Sequence, residues 1–80
     1  PASETLLIEA APPLPPARGR TTEWVDRAVQ LYTSIYIKER APHGAVAVLD
    51  AILRNLTPQE QADYYARIDA LRRRRAAARP

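Results

Sequence analysis

The stretch "LTPQEQADYYARIDALRRRR", residues 56–75, decides how the rest of the chain is read. Thr57 has a side-chain oxygen suited to cap a helix, Pro58 suits the first helical position, and Glu60, three residues after Thr57, completes a capping box. A helix therefore starts at Pro58, with Leu56 placed to staple onto the turn that holds Gln61. Within it Tyr64, Tyr65, Ile68 and Leu71 form an apolar stripe. Asp63 stands four residues before Arg67, and Asp69 four before Arg73, the spacing of helical ion pairs. The stripe stops at Leu71, so the arginines lie past the packed part, on a helix end that Arg and Ala can extend into solvent.

Working back from Thr57, "GAVAVLDAILRNL" (44–56) sets Ala45, Val48, Leu49, Ile52, Leu53 and Leu56 on one broad face. Its β-branched residues do not alternate with polar ones, so the pattern is that of a helix and not of a strand. Pro42, His43 and Gly44 break the chain before it.

The segment ahead of that break, "RTTEWVDRAVQLYTSIYIKER", starts with Thr21 or Thr22 as a cap and places Glu23 and Asp26 in the first turn. Trp24, Ala28, Leu31 and Ile35 make one stripe; Val25, Val29, Tyr32 and Tyr36 make a second beside it. Two stripes are more than one neighbour can cover, so this helix is central or shares a face with another chain.

Residues 1–20 have a different character. Four of the five positions from Pro12 to Pro16 are proline, which holds the backbone near polyproline II. Ahead of them "TLLIEA" (5–10) is a short apolar run, too brief to stand alone. The expectation is an all-α fold: a small three-helix bundle or open helical array with a proline-rich, largely extended N-terminal arm. The arm spans residues 1–20, the helical domain residues 21–75 with helices at about 21–40, 44–56 and 58–75, and a basic tail residues 76–80.

Composition narrows the chemistry. The chain has no Cys and one His, His43, which leaves no disulfide and no Cys/His zinc site. His43 in its Pro-His-Gly turn, and Glu60, Asp63 and Asp69 on their helix, read as turn, capping and pairing groups and not as acid–base machinery. No catalytic residue, metal or cofactor is expected, and the chain is read as not an enzyme. No stretch approaches the roughly 20 apolar residues of a membrane span and no secretory signal is visible, so a cytoplasmic protein without membrane contact is expected. The first residue is Pro1, which fits a trimmed start or a piece of a longer chain.

The net charge of +3 is unevenly spread. Residues 72–79 hold five arginines and no acid, so the remainder is mildly acidic, with seven basic against nine acidic groups. Arg72, Arg73, Arg74 and Arg75 point in four directions around the helix. They suit phosphates or an acidic surface but supply no base readout.

Three resemblances bear on function. "LTPQE" (56–60) resembles the opening of the helix-turn-helix domains of quorum-sensing-type regulators, which implies a supporting helix; the recognition helix of that family has no counterpart after it. Ribbon-helix-helix regulators are similar in size, yet they run a strand almost directly into the first helix, where this chain has Pro12–Pro16. Pro13, Pro16 and Arg18 in "PPLPPAR" satisfy the P-x-x-P-x-R pattern and resemble ligands of Src-homology-type proline-binding domains, which implies docking of the arm on a partner.

The function expected is that of a small regulatory or accessory protein acting by contact with another protein, by masking, by bridging or by self-association as a homodimer. Its partner-binding residues are expected to be Trp24, Val25, Val29, Tyr32, Tyr36 and Tyr64, with Leu7 and Ile8 of the arm as an anchor. The alternative is a DNA- or RNA-associated regulator using Arg72–Arg75 on phosphates.

Overall fold

The computed structural model describes residues 22–79, and these form an all-α fold of three helices. α1 spans Glu23–Tyr32 and runs on into a π-helical segment, Thr33–Ile37; α2 spans Ala45–Asn55; α3 spans Pro58–Ala77. α1 is central. It packs against both α2 and α3, which make few contacts with each other, so the arrangement is open and the two stripes of α1 serve two neighbours.

The core is small and continuous. Trp24, Val25 and Ala28 of α1 meet Leu49, Ile52 and Leu56 on the α2 side and Tyr64 and Ile68 of α3. Ala28 is wholly buried, so the methyl side chain sets how closely the central helix is approached. Val29, Leu31, Tyr32, Ile35, Val48 and Leu53 pack around this centre, partly covered.

Each helix start has a local cause, and one differs from expectation. At α3 the capping box is complete: Glu60 N–H donates to Thr57 Oγ1 at 3.1 Å and Thr57 N–H donates to Glu60 Oε1 at 2.9 Å. At α2 Gly44 occupies the cap position with φ of 84°, which a residue with a Cβ adopts only at a cost. At α1 Thr22 holds the cap position, but its hydroxyl donates to Asp26 Oδ2 at 3.4 Å and satisfies no backbone N–H. Its ψ of 3° is far from the extended backbone that aims a capping oxygen into the first turn.

The corner between α2 and α3 is sealed by a polar group where a hydrophobic staple was expected. Gln61 Nε2 donates to the carbonyls of Leu53 at 3.0 Å and Leu56 at 3.3 Å, supplying two acceptors at the end of α2 with a partner. Leu56 turns into the core instead. Replacing Thr57 by alanine removes one half of the box that fixes this corner and is expected to cost about 1 kcal/mol. A urea titration followed by helical circular dichroism reads that cost.

The first helix does not continue in α form to residue 40. Thr33 Oγ1 donates to the Val29 carbonyl at 2.9 Å, and the Lys38 N–H reaches the Thr33 carbonyl, five residues back, at 2.9 Å. Thr33, Ile35 and Ile37 are β-branched and Tyr36 is aromatic, all weak α-formers, so the wider turn opens where α propensity is lowest. Glu39, with φ of 51°, ends the segment in left-handed backbone. α3 behaves oppositely: it runs on past the arginines to Ala77, the extension that Arg and Ala propensity led one to expect, and takes in the first two residues of the basic tail.

Candidate interaction surfaces

Position on the three helices divides the expected partner-binding residues into two groups. Trp24, Val25 and Tyr64 are buried in the chain's own core, at 8%, 1% and 3% exposure, and of the three only Trp24 borders an open groove. Val29 and Tyr32 are half-buried around that core, while Tyr36 is 55% exposed. Leu7, Ile8, Pro13, Pro16 and Arg18 lie outside the described residues.

Tyr65, expected on the packed stripe of α3, is instead 60% exposed. Its neighbour Tyr64 takes the inward place, because one residue is 100° of helix and only one of two adjacent side chains can face α1. The two rings stay in contact edge to face, with centres 5.1 Å apart. Across from them Tyr32 and Tyr36 are tilted against each other at 5.0 Å. Each exposed ring is thus backed by a more deeply set one.

These four rings form one electrostatic neighbourhood. Burial pushes the Tyr64 hydroxyl up to about 12, with Tyr65, Tyr32, Tyr36 and Asp50 adding to the rise in that order. The inner ring stays neutral while the outer rings present phenol groups to water.

An ion-pair clamp holds α1 and α3 together beside this face. Arg67 is hydrogen-bonded to Asp26 of α1 and to Asp63 of its own helix, the latter at 3.3 Å. These two bonds push the Arg67 guanidinium up, so it remains a cation. Asp63–Arg67 was visible as a four-residue spacing; the Asp26 contact, 41 residues distant in sequence, was not.

A second surface lies on the opposite side of α1. Between α1 and α2 an open groove of about 370 Å³ is lined by Trp24, Arg27, Gln30, Leu31, Ser34, Val48 and Ile52. The Arg27 guanidinium lies over the Trp24 ring, 4.8 Å from its centre, and its ion pair with Glu23, at 3.8 Å, is long and exposed. Sequence reading gave Trp24 and Leu31 as one stripe but could not reveal that α2 leaves part of that stripe uncovered.

The arginine run forms the third surface. Residues 72–79 are all exposed, and Leu71 is the last partly covered side chain. Arg73 pairs with Asp69 at 3.1 Å, as the spacing implied, with both side chains largely in solvent. His43 is exposed in its turn, and among the described residues no group of three His, Asp or Glu side chains converges as a metal site. None of the described helices is long and apolar enough to cross a membrane.

Comparison with family models, with curated proteins and with solved structures finds no match to this chain.

Proposed function

We propose that this chain is a small non-enzymatic regulatory or accessory protein that works by binding another protein, either a second copy of itself or a foreign partner. The contact face is the tyrosine surface formed by the end of α1, the π-helical segment and α3. The observation that carries this reading is the pair Tyr36 and Tyr65, each more than half exposed and each supported by an inner ring. Tyrosines held this way offer a large amphipathic contact area and lose little rotamer freedom on binding, which is why such residues dominate interface energetics. The π-helical turn that carries Tyr36 adds support, since such turns recur at functional positions.

A second reading uses the tail. Arg72, Arg73, Arg74 and Arg75 stand exposed on a helix that outruns its bundle, a geometry that suits phosphate contacts without base readout.

Light-scattering mass at two salt concentrations separates the readings. It is measured on the full chain, on a version ending at Leu71 and on a Tyr36→Ser/Tyr65→Ser variant. A self-associating protein of the proposed kind gives a dimer that survives salt and truncation but is lost in the tyrosine variant. Heavier particles that carry nucleic acid, dissolve as salt rises and need residues 72–79 contradict it in favour of the tail, because phosphate contacts release counterions.

A further inference from the structure

The outer side of α2 continues the tyrosine surface and carries both signs of charge. Among the described residues the exposed large apolar side chains are Tyr36, Val46 and Tyr65. Asp50 links them. It lines one shallow recess with Val46 and another with Leu53, Arg54, Gln61 and Tyr65, each of about 420 Å³. Tyr36 belongs to the same neighbourhood, since Tyr36, Tyr65 and Asp50 all act on the Tyr64 hydroxyl.

We propose that the partner of this surface is a second copy of the chain, docked about a two-fold axis so that Asp50 of each copy pairs with Arg54 of the other, with Val46 and Tyr65 packed around the two pairs. The proposal rests on the tyrosine surface being a contact face and names what covers it.

Asp50 and Arg54 are left open to such a contact by an omission within their own helix. An acid four residues ahead of a base is the favourable helical spacing. Glu23–Arg27, Asp63–Arg67 and Asp69–Arg73 all form ion pairs across it. Asp50 and Arg54 have the same spacing and the same order, and both are exposed. Yet no ion pair joins them to each other or to any other described residue. Val46, Asp50 and Arg54 recur every four residues, which makes them a stripe on α2 clear of the buried Leu49 and Ile52.

Symmetry supplies the match. In a two-fold contact, if residue i of one copy meets residue j of the other, then j of the first meets i of the second. An acid and a base one turn apart, about 6 Å along the axis, therefore form two opposite-charge pairs when the two α2 helices cross antiparallel. A foreign partner has to present the reversed pair at the same spacing, whereas a second copy does so by construction. Parallel docking sets Asp50 against Asp50 and Arg54 against Arg54, which is unfavourable and so fixes the orientation. Val46 and Tyr65 supply the apolar area that the charged pairs do not, and a domain this small gains stability by covering them.

Charge exchange tests this in the full chain, read by sedimentation-equilibrium mass. The parent is expected at twice the 8.9 kDa of one chain. Asp50→Arg and Arg54→Asp each set like charges face to face at both pairs and are expected to weaken self-association on the order of a hundredfold or more. Circular dichroism is expected to show unchanged helicity, since both positions are exposed. Mixed in equal amounts, the two variants are expected to recover the parent's affinity as a heterodimer, because each side chain again meets its opposite. Damage to the fold cannot produce that recovery. Single variants that dimerise like the parent, or a mixture that stays monomeric, overturn the proposal; loss of the dimer in Tyr36→Ser/Tyr65→Ser then leaves the tyrosine surface as a contact face of different geometry. A parent that is monomeric at every concentration, yet crosslinks through position 36 to one foreign protein, overturns the second copy as partner and keeps the contact face. A parent dimer that neither the charge variants nor the tyrosine variant weakens overturns both.

Discussion

Tyr64→Ala is expected to destabilise the protein by about 3–5 kcal/mol, while Tyr65→Ala, at the adjacent position, costs about 1 kcal/mol or less. Tyr64 is 3% exposed and lies where α3 meets α1; deleting its ring opens a cavity that three short helices have little means of filling. Tyr65 is 60% exposed and gives up only an edge-to-face contact. An 80-residue domain has a stability near the low end of the 5–15 kcal/mol usual for folded proteins, so the first substitution consumes much of it. Urea titrations of the two variants give the comparison. Equal costs would mean that the two rings share the core and that the surface role of Tyr65 is lost.

Alkaline pH acts on the same residue. In the unfolded chain the Tyr64 phenol titrates near 10, whereas in the folded chain it is pushed up to about 12, first by burial. The folded state therefore favours the neutral phenol, and this contribution is fully present below pH 10. As pH rises from 10 to 12 the unfolded state releases its proton first. The stability lost across that range is on the order of a few kcal/mol. Urea midpoints measured from pH 8 to 12 are expected to fall steeply above 10, and Tyr64→Phe is expected to flatten that part of the curve. A Tyr64→Phe profile as steep as the parent's would assign the fall to other groups.

What could be read from the sequence follows from the range of each interaction. The start of α3 was legible because Thr57, Pro58 and Glu60 act on one another within one turn. The apolar face of α2 was legible because its period is unambiguous. The choice between Tyr64 and Tyr65 was not, since both border the stripe and only the position of α1 decides which is covered. The same holds for the Arg67–Asp26 clamp and for Gln61 on the end of α2, which join residues that periodicity does not relate. The π-helical turn was hidden for another reason: low α propensity at 33–37 marks a weak helix without saying how it yields. The presence of aromatic rings on α1 and α3 was legible, while the division between core and surface rings required the packing.

The exposed tyrosine pair is the centre of the account, and a photo-crosslinking side chain at position 36, in the full chain within its native cells, tests it most directly. The account predicts a single adduct of defined mass, either a dimer of this chain or one partner protein, whose yield falls when Tyr65→Ser is added and helicity is unchanged. No adduct, or a smear of products that Tyr65→Ser does not alter, would contradict it.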